Sequence, residues 1–381
     1  MKRPISVFLV LFVISIFPCR GQNDIEDLQN RISEIMQANE VIGVSLLVVK
    51  DNQLCYYKSF GYKPDYHIPE KRDSIKTDDV FRIASISKTF VATAIMQLME
   101  KGLIDLDDDI NQYLNFKVRN PYFPGIPITV RMLLNHHSSI ADNQYGKYKN
   151  SLAMFMNDSL HVLKSVYENY KPGAKYKYFN YGYSLLGAII ENVTQERFDE
   201  YVENHILKPM GVYGGYNVTK IDSAKFVWAR VYNKKTKKYT NSPQMYDPFI
   251  KEMKSYALGE STALFSPAGG MKLSVQDLAK YMLMHMNYGT YHGVRILSRE
   301  SEEQLWKVSP RTKYGLGFMH ANFNLKGVDM IGHQGGAYGI HSSMFFNPDE
   351  KYGFIVICNG CNSGHYLDTQ ILRELYHFFI R

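Results

Sequence analysis

The sequence predicts an α+β protein in which one antiparallel sheet is built from both chain ends and flanked by helices, with a large, mainly helical insertion. Two observations predict this arrangement. Short β-branched and apolar runs bounded by turn residues occur near both ends of the chain, over about 43–62 and 314–358. Between them the apolar residues recur mainly with helical spacing.

The first residues have the pattern of a signal peptide, since two basic residues precede an apolar run from Ile5 to Phe17. We expect residues 1–21 to be removed and the mature protein to be exported, into the periplasm or out of the cell. The run is too short for a stable membrane span. A lipid anchor on Cys19 is the less favoured alternative, because Ile16-Phe17-Pro18 lacks the small residue expected before a lipidated cysteine.

The remainder, residues 22–381, is expected to form a single domain. Its α/β part is predicted over about 22–84 and 295–381, and its helical part over about 85–294. A cleft is expected where the two parts meet.

In the first α/β segment, a polar amphipathic helix is predicted over about 24–39. The run Gly43–Lys50 is β-branched and apolar, and Asp51-Asn52 forms a turn into residues 53–62. These features predict a β-hairpin.

The helical part begins with an apolar helix from Ser87 to Met99, followed by Gly102 where a C-terminal cap is expected. Apolar residues cover most of its circumference, so the helix is expected to be buried on all sides. Further helices are predicted over 130–135, 183–193, 198–206 and 275–287.

Near the C-terminus, strands are predicted over 314–322, 328–332, 339–347 and 352–358. Pro348-Asp349-Glu350-Lys351 joins the last two strands as a turn. A final amphipathic helix is predicted over about 366–380.

Composition argues against several classes of partner. The net charge of +7 includes Lys2, Arg3 and Arg20, so the mature chain carries a mild charge of about +4. The dense basic run Lys234–Lys238 is interpreted as a solvated loop, so no nucleic-acid partner is predicted. Besides Cys19, the cysteines are Cys55, Cys358 and Cys361, which lack the spacing of a zinc site. Neither a metal nor a cofactor is predicted, and the sequence specifies no oligomeric state.

Three motifs carry candidate chemistry. The first is Ser85-x-x-Lys88, which places a hydroxyl and an amine one turn apart at the start of the apolar helix. An amine beside a serine hydroxyl is one way to activate a serine nucleophile without histidine. The alternative is that Ser85 is only a helix cap.

The second motif is Tyr178-x-Asn180, which follows the turn Pro172-Gly173 and precedes an apolar helix. Tyr-x-Asn occurs elsewhere in this tyrosine-rich chain, so its setting singles out this copy. The third motif, His333-x-Gly335-Gly336, is predicted at the end of a strand, where glycines permit close approach of another backbone or a ligand.

In this order, the three motifs resemble those of the serine β-lactamase and penicillin-binding-protein family, in its class C branch. The resemblance covers nearly the whole mature chain and includes the stretches 128–139 and 267–271. It implies an acyl-serine mechanism with Ser85 as nucleophile. Lys88 and Tyr178 would share the proton transfers, and the sequence leaves open which of them is the base. Tyrosine serves as a base only if its pKa falls well below its usual value near 10, and two cations, Lys88 and His333, are expected to lower it.

The resemblance further implies that Asn180 holds the substrate amide and that the backbone N–H groups of Ser85 and Gly336 bind the oxyanion. Antibiotic-hydrolysing members and transpeptidases usually carry lysine where this chain has His333, and threonine where it has Gln334. We therefore expect a hydrolase of amide or ester bonds in a small molecule or peptide, such as a D-amino-acid-containing cell-wall peptide. The alternatives are a true class C β-lactamase and a catalytically silent binding protein.

Overall fold

The structure is a computed structural model that describes residues 22–64, 71–142, 151–157, 166–233, 235–308, 312–361 and 367–381. The predicted leader lies outside these ranges. Within them, no helix is long and apolar enough to cross a membrane.

The α-helices are α1 (Gln22–Ala38), α2 (Ser87–Glu100), α3 (Val130–Leu134), α4 (Leu152–Asn157), α5 (Tyr181–Thr194), α6 (Phe198–Val202), α7 (Ile250–Met253), α8 (Val275–Met286), α9 (Arg299–Trp306) and α10 (Leu367–Phe379). The strands are β1 (Gly43–Lys50), β2 (Gln53–Pro64), β3 (Arg72–Ser74), β4 (Phe81–Arg82), β5 (Gly214–Gly215), β6 (Arg230–Asn233), β7 (Lys238–Asn241), β8 (Lys272–Leu273), β9 (Thr290–Tyr291), β10 (Val294–Arg295), β11 (Met319–Ala321), β12 (Met330–Ala337), β13 (Ile340–Asn347) and β14 (Tyr352–Asn359).

One antiparallel sheet is formed by both ends of the chain. Its strand order is β11-β12-β13-β14-β1-β2-β3. Strand β1 pairs with β14 along its whole length, with Gly43 opposite Asn359 and Lys50 opposite Tyr352. The N-terminal hairpin therefore joins the C-terminal strands edge to edge, which confirms the predicted fold class.

Both faces of this sheet are buried, and β1 shows how the sequence achieves this. Val44, Leu46 and Val48 belong to the apolar cluster that includes residues of α1 and α10. Leu47 and Val49 belong to the cluster that includes the helical part. Because alternate side chains of a strand point to opposite faces, a continuous apolar run packs against helices on both sides.

Helix α2 lies inside the helical part, as its sequence predicts. Every residue from Ser87 to Leu98 is buried, including the single lysine. Gly102 follows the helix with φ +67°, a left-handed conformation that favours glycine. A helix held on all sides is a rigid support for the turn that precedes it.

Three predicted elements differ from the structure. The strand predicted over 314–322 is reduced to Met319–Ala321, with an isolated bridge from Tyr314 to Met319. The strand predicted over 328–332 extends to Ala337, so His333, Gly335 and Gly336 lie within β12 rather than beyond its end. The helix predicted over 198–206 changes after Val202 to a π-helical segment, Glu203–Leu207.

Candidate active site

Ser85 lies in a single 3-10 turn, Ala84–Ile86, that leads directly into α2. Ala84 has φ +47°, which is unfavourable for a residue with a Cβ atom and persists only where the surroundings enforce it. Ser87 Oγ donates to the Ala84 carbonyl at 2.6 Å and accepts from the Met271 N–H at 3.0 Å. These bonds fix the turn that presents the Ser85 hydroxyl.

The amine of Lys88 contacts that hydroxyl. Lys88 Nζ lies 3.0 Å from Ser85 Oγ, 2.8 Å from Asn180 Oδ1 and 2.9 Å from the carbonyl oxygen of Ala268. The last two oxygens can only accept hydrogen bonds. A neutral amine therefore directs its two N–H groups to them, and its lone pair faces the hydroxyl of Ser85.

The environment of Lys88 favours this neutral form. The side chain is fully buried, and burial lowers the pKa of Lys88 from 10.5 to about 7, while the negative charge of Asp142 opposes part of the shift. A substantial fraction of the amine is thus unprotonated near neutral pH, a state suited to accepting a proton.

The loop carrying the second motif lies against this amine. The ring centroid of Tyr178 is 4.8 Å from Lys88 Nζ, and the Tyr178 ring also packs on that of His136 at 4.4 Å between centroids. His136 is buried, and its Nδ1 accepts a hydrogen bond from the N–H of Phe179 at 3.3 Å. Burial, and next the charge of Lys88, lower the pKa of His136 well below its usual 6.5.

Asn180 is held by a carboxylate that sequence reasoning missed. Asp142 accepts from the backbone N–H of Asn180, from its Nδ2 and from the backbone N–H of Tyr181, at 2.7 to 3.0 Å. The start of α5 indicates that such an acceptor is needed, because the side chain of Asn180 does not cap the helix itself. Helix N-terminal amides without a local acceptor require one from elsewhere in the chain.

Strand β12 passes next to Ser85. A Cβ atom added to Gly335 would stand 2.8 Å from the Ser85 backbone nitrogen and 2.7 Å from the Ile83 carbonyl oxygen. The Ile83 carbonyl also accepts from Ser342 Oγ of β13 at 2.8 Å. The glycine thus permits the close approach of strand and turn that the third motif predicts.

A cavity of about 270 Å³ opens beside the nucleophile. Ser85, Asn180 and Gly336 line it together. Much of the remaining wall is apolar and comes from Met245, Phe249, Met253, Leu264 and Phe265. Its ionisable members are Arg82, Asp247 and Lys272, and burial lowers the pKa of Lys272 well below its usual 10.5. Three of the apolar wall residues, Met245, Leu264 and Phe265, are almost fully buried, so this part of the cavity is firmly packed.

The chain is similar in sequence and fold to known proteins. A family model described as Beta-lactamase matches residues 28–375. The chain belongs to the Beta-lactamase family.

Two curated relatives illustrate this family membership. Protein flp of Staphylococcus aureus (strain N315) is 25% identical over 374 residues, covering 91% of this chain and 67% of that protein. A putative D-alanyl-D-alanine carboxypeptidase of Escherichia coli O157:H7 is 27% identical over 294 residues, covering 72% of this chain and 67% of that protein.

Solved structures also share the fold of this chain. A penicillin-binding protein homologue from Pyrococcus abyssi, described as octameric, superposes with a TM-score of 0.74 at 27% identity, covering 93% of this chain and 78% of that one. A D-amino acid amidase from Ochrobactrum anthropi, solved with D-phenylalanine, has a TM-score of 0.65 at 22% identity, covering 92% and 98%. The second likeness shows the fold alone.

Within this Beta-lactamase family fold, His333 differs from the expectation that it supplies a second cation. Its Nε2 accepts from the Tyr314 hydroxyl at 2.9 Å, and its Nδ1 bonds to the Gln334 carbonyl. Burial, and next the charge of Lys88, lower the pKa of His333 to about 3. The ring is therefore neutral at pH 7, and the expected charge is wrong.

Gln334 points away from the nucleophile. Its Nε2 lies 3.2 Å from Asp368 Oδ2 and 3.3 Å from Thr369 Oγ1, both in α10. Neither His333 nor Gln334 lines the cavity. The third motif therefore contributes its glycine backbone beside Ser85, whereas its two polar side chains are engaged elsewhere.

Proposed function

We propose that this Beta-lactamase family member is a serine hydrolase that cleaves amide or ester bonds of small D-amino-acid compounds through an acyl-Ser85 intermediate. The observation that carries the proposal is the 3.0 Å contact between Lys88 Nζ and Ser85 Oγ at the wall of the cavity. A nucleophile and a base within hydrogen-bond reach, with the base oriented by further groups, are the signature of covalent catalysis.

Lys88 is assigned as the base that activates Ser85. Its pKa of about 7 matches the task, and Asn180 Oδ1 with the Ala268 carbonyl direct its lone pair at the hydroxyl. Tyr178 lies over the same amine and is assigned to pass the proton onward to the leaving group. With His333 neutral and Lys88 acting as the neutral base, neither side chain supplies the cation that would favour a phenolate at Tyr178, so the tyrosine is the weaker candidate for the base.

The chemistry then follows in two halves. The Ser85 hydroxyl gives its proton to Lys88 as its oxygen bonds to the substrate carbonyl carbon. The tetrahedral intermediate collapses when the carbon–nitrogen or carbon–oxygen bond breaks and the leaving group takes the proton through Tyr178. Water next attacks the acyl ester, its proton returns by the same groups, and Ser85 is released together with the acid product.

The developing oxyanion is assigned to the backbone N–H groups of Ser85 and Gly336. Both residues line the cavity, and β12 lies against the Ser85 nitrogen. Each such donor contributes about 3 kcal/mol of transition-state stabilisation.

The leaving-group side supports a neutral amide or ester rather than a substrate with a terminal carboxylate. Binding a carboxylate beside β12 requires a charged or hydrogen-bonding partner. His333 is buried and neutral, and the Gln334 side chain is bound to α10. Arg82, a charged residue of the cavity wall, already donates to the Gly269 carbonyl and to the Ser266 hydroxyl. This observation disfavours the β-lactamase and carboxypeptidase alternatives for this chain.

The acyl side supports an apolar substituent. The cavity wall formed by Met245, Phe249, Met253, Leu264 and Phe265 fits a side chain such as that of phenylalanine or leucine. The preference for the D configuration is supported by the relatives, one of which is described as a putative D-alanyl-D-alanine carboxypeptidase.

A substrate panel tests the proposal. D- and L-phenylalanine amides and methyl esters, D-alanyl-D-alanine and a chromogenic cephalosporin are incubated with the protein and with Ser85→Ala. We expect D-phenylalanine amide or ester to be cleaved at least tenfold faster than the dipeptide or the cephalosporin, and Ser85→Ala to be inactive. Fastest turnover of the cephalosporin or the dipeptide would contradict the proposed substrate class.

A further inference from the structure

Asp142 lies outside the three motifs, yet its carboxylate reaches the centre of the site. Asp142 Oδ2 accepts from the side-chain Nδ2 of Asn180 at 2.7 Å, and the other face of that amide presents Oδ1 to Lys88 Nζ at 2.8 Å. Asp142, Asn180 and Lys88 therefore form one chain of hydrogen bonds that ends at the Ser85 hydroxyl.

The polarity of this chain is fixed at the Asp142 end. A carboxylate only accepts hydrogen bonds, so the amide nitrogen of Asn180 must face Asp142 and the amide oxygen must face Lys88. The same carboxylate accepts from the backbone N–H of Asn180 and of Tyr181, which ties it to the start of α5. The reversed amide would point an NH₂ group at the Lys88 amine.

We propose that Asp142 is a positioning residue for the reaction proposed above: it fixes the amide rotamer of Asn180, and thereby the direction of the Lys88 lone pair, from outside the catalytic motifs. The inference rests on the proposed function for its catalytic meaning. The orientation of Asn180 and the protonation of the buried Lys88 amine can be measured whether or not the protein turns over a substrate.

The negative charge of Asp142 also acts on Lys88. Among the described residues, the carboxylate that acts on the Lys88 amine is Asp142. The other side chains around the amine are Asn180, Ser85, Tyr178, Tyr183, His136 and His333, and burial keeps the two histidines uncharged. Removing that charge is therefore expected to lower the pKa of Lys88 further, since Asp142 is what opposes the effect of burial.

Asp142→Asn separates this role from simple helix capping. Asparagine caps helices about as well as aspartate, so a residue that only capped α5 would tolerate the change in every respect. The positioning role requires a carboxylate, because an asparagine can present an NH₂ group to Asn180 and allow its amide to turn. The matched control is Asp107→Asn, which removes a carboxylate that pairs with Arg131 in α3 and makes no contact with Lys88.

The test is a pH titration of Lys88 by NMR in the full chain labelled with ¹³C at lysine Cε, with the resonance assigned from its loss in Lys88→Met. We expect its titration midpoint to fall by about one pH unit in Asp142→Asn and to stay unchanged in Asp107→Asn. In parallel, the plateau of kcat/KM is expected to drop about tenfold in Asp142→Asn with little change in melting temperature. If the Lys88 midpoint does not move in Asp142→Asn, the inference is overturned, even if the wild type hydrolyses its substrates. If the midpoint moves in Asp142→Asn but the wild type hydrolyses no substrate, the inference stands and the proposed function is refuted.

Discussion

Gly335 of β12 lies against the backbone nitrogen of Ser85, so close that a Cβ atom on the glycine would stand 2.8 Å from that nitrogen. The same atom would meet Ser342 Oγ at 2.5 Å and the Ile83 carbonyl oxygen at 2.7 Å. Two of these three neighbours are backbone atoms of the segment that presents the nucleophile. The spacing between strand and turn therefore leaves room for a hydrogen atom but not for a methyl group.

Gly335→Ala is predicted to reduce kcat/KM at least 100-fold, because the strand and the Ser85 turn must separate and the oxyanion donors move apart. The change is also expected to destabilise the fold by about 1 to 3 kcal/mol, as overpacking does. Gly125→Ala is the control, since a Cβ atom there would meet nothing within 4 Å. Equal activity of the two variants would refute the oxyanion assignment.

Lys88 is predicted to make stability depend on pH. Its pKa is about 7 in the fold and 10.5 as the ordinary value, so between these values the unfolded chain binds a proton that the folded chain does not. Stability then rises with pH through this window, by about 1.4 kcal/mol per pH unit from this group. Lys88→Met lacks the titrating amine, so its free energy of unfolding should not show this increase with pH.

Chemical denaturation of the wild type and Lys88→Met at pH 6, 7, 8 and 9 measures this difference. The gap between the two free energies of unfolding should be constant below pH 7 and change steadily above it in favour of the wild type. A gap that does not vary with pH would show that the buried amine is not shifted. Lys88→Met should also lose acylation by at least 1,000-fold.

Tyr314 is predicted to matter for stability more than for the protonation of the catalytic base. Tyr314→Phe leaves the buried Nε2 of His333 without its donor, which costs about 1 to 3 kcal/mol. The acid limb of the pH–kcat/KM profile should remain near pH 7, because that limb belongs to Lys88.

The control for that experiment is Tyr57→Phe, at a tyrosine of β2 that is 43% exposed. It should change neither the free energy of unfolding nor the profile. An acid limb that moves in Tyr314→Phe would assign the titration to His333 instead of Lys88.

Phe249 is predicted to select the acyl substituent. It lines the cavity, whereas its neighbour Ile250 is 63% exposed and does not. Phe249→Ala should lower kcat/KM for a D-phenylalanine ester about tenfold and leave that for the D-alanine ester within about twofold. Ile250→Ala should affect neither substrate, and equal losses on both esters in Phe249→Ala would place the substituent elsewhere.

Much of the fold was predictable because its signals are local. The continuous apolar run of β1 and the mostly apolar circumference of α2 can be read from consecutive residues. The interrupted strand at Tyr314 and the π-helical segment at Glu203–Leu207 were missed, since both depend on the elements that pack against them.

The site was predictable to a similar depth. Lys88 contacts both Ser85 and Asn180, and Gly335 lies beside the nucleophile. The spacing of Ser85 and Lys88 predicted the first contact, whereas Asn180 and Gly335 were indicated by the family resemblance. The neutral state of His333 could not be predicted from the sequence, because its protonation is set by burial and by its bond to the distant Tyr314. The contribution of Asp142 was missed for the same reason: the bonds that reveal it join residues 38 positions apart.

The central claim is that the hydroxyl of Ser85, activated by Lys88, becomes acylated during turnover. Rapid acid quench of the protein mixed with D-phenylalanine methyl ester, followed by intact mass and peptide mapping, measures this directly. We expect one phenylalanyl group on the peptide that contains Ser85 in the wild type, and none in Ser85→Ala or Lys88→Met. Turnover of the ester without an adduct on that peptide, or an adduct that persists in Ser85→Ala, would contradict the account.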